Sequence, residues 1–130
     1  MLASNLDKKK FENICIIDTN AKIGSKIKVS GGAKCNITNE LVTASNYLGD
    51  REFVAELLEK FSKNELLAFL NKNAVMPKIN PKIVKGTYFC NSSQDVIDMF
   101  TKLTTHVKKY LNTTVLDIDF DKHFKIKTDS

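Results

Sequence analysis

Residues 14–39 read ICIIDTNAKIGSKIKVSGGAKCNITN, and the opening of this stretch decides the fold class. Ile14-Cys15-Ile16-Ile17 is a continuous run, apolar on both faces, which is the pattern of a buried parallel strand rather than of a half-solvated hairpin strand. Cys15 is therefore expected in the core. The run stops at Asp18-Thr19-Asn20, residues that favour turns because their side chains bond nearby backbone. Parallel strands need long, usually helical, connections, so the expected fold is α/β.

Outward from this strand the pattern continues as helices and strands. Leu2 to Glu12 is short and charged, compatible with the last turns of a helix and a lysine-rich connection. Ile27 to Val29 alternates with lysines before Ser30-Gly31-Gly32-Ala33 imposes a turn or loop. From Arg51, the residues Phe53, Val54, Leu57, Leu58 and Phe61 keep the spacing of an amphipathic helix. Ser62 and Glu65 form a capping box for a second helix carrying Leu66, Leu67, Phe69 and Leu70. Val75 to Lys85, with Pro77 and Pro81, reads as an extended linker. Ser92 or Ser93 caps a third helix whose apolar face is Val96, Phe100, Leu103, Val107 and Leu111. Val115, Ile118 and Phe120, then Phe124 and Ile126, predict two strands around a turn at residues 121–123.

The strongest chemical signal is Lys22-x-Gly24-x-Lys26 followed by Ser30-Gly31-Gly32-Ala33-Lys34-Cys35-Asn36 and then Thr38 and Asn39. Adjacent glycines accept φ > 0 and let backbone N–H groups approach a ligand, making an anion-binding concavity. Lys22, Lys26 and Lys34 add positive charge, while Ser30, Asn36, Thr38 and Asn39 supply neutral donors and acceptors. The same residues also suit a polar loop whose glycines merely turn the chain. Asp18 stands at the end of a strand, where dinucleotide-binding folds hold the ribose hydroxyls of an adenosine. It equally suits an aspartate that starts a turn with Asn20. The G-x-G-x-x-G loop that should precede such an aspartate by roughly 20 residues is absent, because no glycine comes before Gly24.

The stretch KIGSKIKVSGGAKCNITN resembles the signature of a bacterial FAD-dependent flavoprotein family, the aminoacetone-oxidase-family or BaiN-like NAD(P)/FAD-dependent oxidoreductases, whose pattern is K-x-G-x-K-x-x-x-S-G-G-G-[KR]-C-N-x-T-N. The resemblance continues through Tyr47-Leu48-Gly49, the paired helices, the segment from Gly86 to Ser93 and the strands from Val115. It implies a partial Rossmann-like FAD/NAD(P)-binding fold with a mainly helical insertion. Residues 1–49 would be part of the FAD-binding domain, 50–110 the insertion and 111–130 the return strands. Family members are roughly three times as long, as multi-domain chains are. The chain is thus expected to be an internal piece that lacks the first glycine loop and the C-terminal part.

Carried over by resemblance, Asp18 takes the adenosine ribose, and Lys22, Gly24 and Lys26 lie along ribose and pyrophosphate. Ser30, Gly31, Gly32, Lys34, Cys35 and Asn36 approach the flavin, with Thr38 and Asn39 shaping the loop. Val115 offers backbone to the adenine. The departures are Ala33 for a third glycine, Thr87 where arginine is common and Cys90 where proline is common. Cys35 beside three lysines invites a redox-nucleophile role, against which stands a packing role, since nothing pairs with it as a resolving thiol. The implied function is part of an FAD-dependent oxidoreductase using flavin and NAD(P)H. The isolated chain is expected to bind FAD weakly or not at all, to lack turnover, and to expose a sheet edge through which it self-associates.

Composition narrows the classes. Lysine and arginine number 20 against 15 acids, giving +5, and the only arginine is Arg51. A nucleic-acid reader would favour the bidentate guanidinium, so the lysine excess argues against that class. A small basic phosphate- or nucleic-acid-binding module is the alternative, weakened by the lack of aromatics among the lysines. No apolar run approaches the roughly 20 residues of a membrane span, and residues 1–5 lead into charge, so the expected location is the cytoplasm. Cys15, Cys35 and Cys90 form no CxxC pair, and neither His106 nor His123 stands at ligand spacing, so neither a zinc site nor a disulfide framework is expected. Asp117-Ile118-Asp119-Phe120-Asp121 mimics the opening of a calcium loop but has Lys122 at the sixth position and Thr128 at the twelfth. It reads instead as a strand with aspartates on its wet face. His106 and His123 are expected at the surface.

Overall fold

The computed structural model describes residues 1–7, 9–32, 34–80 and 85–129. Ala33 of the glycine loop and Pro81 of the expected linker lie outside the described residues. The chain divides into two compact units, Met1–Ser25 with Phe100–Ser130, and Lys26–Met99. The architecture is α/β.

The first unit opens with the short helix α1 (Leu2–Asn5) and the strand β1 (Cys15–Ile17). β1 pairs in parallel with a strand from the far end of the chain, Lys108–Tyr110, in the register Cys15↔Lys108, Ile16↔Lys109 and Ile17↔Tyr110. The pairing extends past both strand ends. Lys108 N donates to Ile14 O at 3.0 Å, Asp18 N to Tyr110 O at 2.9 Å and Thr113 N to Asp18 O at 3.1 Å. The parallel strand is thus present, but it is half-buried and Cys15 is exposed, contrary to the expected core position. The reason is geometric: β1 has one neighbouring strand among the described residues, so its second edge is uncovered.

The third helix is shorter than its periodicity predicts. The helix Ser93–Leu103 ends before Val107 and Leu111, and residues 108–110 become the partner of β1. Thr104 closes the helix, its N and Oγ1 both donating to Phe100 O, at 3.0 and 2.7 Å. Two consecutive β-branched residues, Thr104 and Thr105, favour this stop. Val107 is buried all the same. The apolar spacing found an inward-facing residue and assigned it to the wrong element. His106, expected at the surface, has a buried Nε2 without a partner among the described residues.

The unit closes with a hairpin, Val115–Asp121 against His123–Thr128, turned by Lys122 at φ 61°. Its register puts Ile118↔Ile126 and Phe120↔Phe124 on one face and Asp117↔Lys127, Asp119↔Lys125 and Asp121↔His123 on the other. The aspartates do form a solvated ladder. The apolar face is exposed as well, held together by the Phe120 and Phe124 rings at 4.9 Å.

The second unit is built on a three-stranded antiparallel sheet. In chain order its strands are β2 (Asn36–Asn39), β3 (Lys78–Ile79) and β4 (Thr87–Phe89), with β4 in the middle. Central position explains why Thr87 and Phe89 are buried. β3 falls inside the stretch expected to be a linker. Two helices cover 51–72: α3 (Arg51–Lys60), capped by the Asp50 carboxylate on Glu52 N and Phe53 N at 2.9 and 3.1 Å, and α4 (Lys63–Lys72). The predicted capping box is formed, Glu65 N donating to Ser62 Oγ at 3.3 Å and Ser62 N to Glu65 Oε2 at 2.6 Å. Leu70, Val75, Phe89, Cys90, Val96 and Met99 make the core of this unit, with Leu70 only 2% exposed.

Candidate functional site

Three of the described residues of the glycine loop are left-handed. A short helix, α2 (Ser25–Val29), delivers the chain to Ser30, whose N donates to Ile27 O at 3.2 Å. Gly31 and Gly32 follow at φ 59° and 61°, and Cys35 is left-handed too, at φ 55°. Lys34 N donates to Gly31 O at 3.2 Å and Cys35 N to Ser30 O at 3.1 Å, closing the loop on itself. The two glycines differ in purpose. The Asn36 side chain occupies the place of a Gly31 Cβ, whereas nothing lies within 4 Å of that place at Gly32. Gly31 is needed for packing, and Gly32 leaves bare backbone open to a ligand.

Cys35 anchors the loop inward. It is 5% exposed, and Cys90 N donates to Lys34 O at 3.0 Å and to Cys35 O at 3.4 Å. Burial pushes the Cys35 thiol above its usual range, and burial, with Cys35 and Asp95 adding to it, pushes Cys90 up to about 11. Burial of the thiol, which raises its pKa, favours the packing role over that of a thiolate nucleophile. Only Cys15 is exposed. Native protein at neutral pH should therefore react with one equivalent of Ellman's reagent rapidly, and with three only after denaturation. Rapid reaction of all three thiols in native buffer would contradict the burial. Because the folded Cys90 holds its proton more tightly than an unfolded cysteine, its contribution to stability is complete below about pH 9 and lost as pH rises toward 11.

Asn39 closes the other end of β2. Its Nδ2 donates to Lys85 O and to Thr87 Oγ1, both at 3.1 Å, and its Oδ1 accepts from Leu41 N at 3.0 Å. Glu40 N donates to Gly86 O at 2.8 Å, and a Cβ on Gly86 would stand 3.0 Å from Asn39 Oδ1. Along β2 lies an open groove of about 630 Å³. Its polar walls are Asn36, Thr38, Asn39, Asn46, Tyr47 and Thr87, and Ile37, Leu41 and Val42 complete it. Asn46, which carried no sequence signal, is fixed by the 3-10 turn Ala44–Asn46, where its Oδ1 accepts from Thr43 N at 2.8 Å and from Thr43 Oγ1 at 3.0 Å.

In the first unit Asp18 starts a turn, its Oδ1 accepting from Asn20 N at 2.8 Å and Asn20 Nδ2 at 2.7 Å. The Asn20 backbone N–H, then its side chain, holds the carboxyl below its ordinary range. The turn uses one oxygen, and the second takes no part in it. The carbonyl of Asp18 accepts from Thr113 N, so the chain reaches Val115, at the start of the hairpin, two residues beyond a bond to Asp18. Lys22 and Gly24 belong to this unit, with Gly24 at φ 82° and Ser25 Oγ donating to Lys22 O at 2.9 Å. Lys26, Ser30, Gly31, Gly32, Lys34, Cys35 and Asn36 belong to the other. Among the described residues no group of His, Cys, Asp or Glu is arranged to hold a metal ion, and no helix is long and apolar enough to cross a membrane.

Residues 1–130 match the family described as the HI0933-like protein Rossmann domain. The chain belongs to that family. The ribosomal RNA dihydrouridine synthase of Escherichia coli (strain K12) is 32% identical over 101 residues, 76% of this chain and 24% of that protein. The 3-dehydro-bile acid delta(4,6)-reductase of Clostridium scindens is 40% identical over 57 residues, 43% of this chain and 14% of that protein. The ribosomal RNA dihydrouridine synthase of Haemophilus influenzae is 26% identical over 123 residues, 93% and 29% respectively. The chain thus spans less than a third of the length of these curated relatives. A Rossmann domain of this family agrees with the resemblance read from residues 22–39 and with the parallel pair that ends at Asp18.

Proposed function

We propose that the protein carrying this chain is an FAD-dependent oxidoreductase that runs as a reductase, saturating a carbon–carbon double bond conjugated to a carbonyl. The observation that supports it best is the glycine loop, left-handed at Gly31, Gly32 and Cys35 and with a bare Gly32 backbone, in a chain of the HI0933-like Rossmann family. Two of the relatives carry names that describe reduction, a dihydrouridine synthase and a delta(4,6)-reductase. When bound, the flavin supplies the hydride chemistry, with NAD(P)H as the source of electrons.

The residues fit such a group. Gly32 presents unobstructed backbone to a flat ring, and Asn36, braced over Gly31, offers an amide beside it. Asp18 keeps one carboxylate oxygen outside its turn, which would take a ribose hydroxyl. Lys22 and Lys26 supply charge for the pyrophosphate, and Val115 backbone for the adenine. The protein's work is to bind and orient: the first unit offers Asp18 as a ribose anchor and the second offers the glycine cradle.

The test is the flavin content of the full-length protein that carries this chain, together with its variant Asp18→Asn. Asparagine keeps an oxygen for the Asn20 turn but removes the charge that binds the diol. Affinity for FAD should fall about tenfold, the worth of one charge-assisted hydrogen bond, while affinity for FMN, which lacks the adenosine, is unchanged. A protein without a flavin absorbance band that takes up neither FAD nor FMN sinks the proposal.

A further inference from the structure

The groove beside the glycine loop has a chemistry of its own. None of its lining residues is charged, in a chain where 27% of residues are. An anionic ligand would meet no cation there and a cationic one no carboxylate, so the lining suits a neutral molecule. Ile37, Leu41 and Val42 suit its hydrocarbon part, and the Tyr47 ring, 48% exposed, offers a flat surface at the rim.

Its polar groups are fixed in sense. Asn46 Oδ1 is held by two bonds from Thr43, so the amide cannot flip without losing both, and Nδ2 is left as a donor outside the turn. Thr87 Oγ1 accepts from Asn39 Nδ2, so the hydroxyl's own hydrogen points elsewhere. Asn39 is saturated by Lys85 O, Thr87 Oγ1 and Leu41 N and cannot turn to accept. In the groove, Asn46 Nδ2 and the Thr87 hydroxyl hydrogen are thus donors not used by these bonds, set among neutral, partly apolar walls. Asn36 belongs both to this groove and to the packing over Gly31, which makes the groove continuous with the glycine loop.

We infer that the groove is the substrate site and holds the oxygen of a neutral conjugated carbonyl, with Asn46 Nδ2 and the Thr87 hydroxyl as donors. This rests on the loop being the flavin side. Hydrogen bonds to a conjugated carbonyl oxygen draw electron density from the attached double bond, which suits that bond to accept hydride. Two sources share this chemistry, the uracil ring of a nucleoside and a hydrocarbon-ring enone.

Calorimetric titration of the purified protein with uridine, with cytidine and with a steroid 4-en-3-one separates the sources. Saturable binding of uridine over cytidine, whose C4 amine would face a donor, assigns a nucleobase, and binding of the steroid assigns the enone. In both cases Asn46→Asp should weaken the bound probe at least about tenfold, because the carboxylate keeps the Thr43 bonds and replaces the donor with an acceptor. Flavin content and unfolding midpoint should not change. The inference is overturned if neither probe binds at millimolar concentration, if Asn46→Asp binds as the parent does, or if the variant loses flavin instead of probe. A protein without flavin in which Asn46→Asp still weakens the probe would remove the flavin assignment and leave the carbonyl site standing.

Discussion

Gly31→Ala should destabilise the protein by about 2–4 kcal/mol, whereas Gly32→Ala one residue later should cost only about 1 kcal/mol. Both glycines are left-handed, at φ 59° and 61°, so the backbone strain of a Cβ is shared. What differs is the space. A Cβ on Gly31 would come within 2.9 Å of Asn36 Cγ and 3.0 Å of Asn36 N, while Gly32 meets nothing within 4 Å. The backbone of Asn36 cannot retreat, because it is paired with Phe89. The difference between the two variants in urea denaturation isolates the clash from the strain. Equal losses would show that the Asn36 side chain is free to move away. Under the proposed function the order reverses for ligand: Gly32→Ala, nearly neutral for stability, should weaken flavin binding because its methyl stands on the bare backbone.

Leu70→Ala is the second large effect, about 3 kcal/mol, within the span measured for fully buried leucines. At 2% exposure Leu70 is the one large side chain that is fully buried among the described residues. It stands at the end of α4, where its carbonyl accepts from Asn73 N and Val75 N, both at 3.0 Å. The chain turns there, through Ala74 at φ 62°, so collapse around the lost side chain would disturb the turn that feeds Val75 into the core. Shallow filling of such a cavity is therefore disfavoured, and the loss belongs in the middle of the range. A loss under about 1 kcal/mol by denaturation would mean that Leu70 does not organise this core.

What could be seen in the sequence follows from how local each signal is. The Ser62–Glu65 capping box, the strand at residues 15–17 and the hairpin of 115–128 are each written within a short local stretch, and each formed as expected. The left-handed loop was equally visible, because few residues besides glycine accept that conformation. The strand at 108–110 was not, because its cause is β1, far away in the chain, and Val107 and Leu111 happen to continue a helical spacing. The depth of β1 was overestimated for the same reason: an apolar run states an intention to be covered, and among the described residues a single strand pairs with it. In the candidate site, the lysines, glycines and Asp18 were legible. Asn46 was not, since its role depends on a 3-10 turn that fixes an otherwise ordinary asparagine.

Asn39 reaches across 46 residues to Lys85 and 48 to Thr87, and Cys90 binds back to Lys34 and Cys35. None of these partners exists while the motif itself is being synthesised. Residues 30–39, though they read as a self-contained signature, gain these bonds only once the chain has grown past Cys90 and β4 has docked between β2 and β3. On a ribosome the cradle is thus a late product of its own domain, gated by a non-local contact.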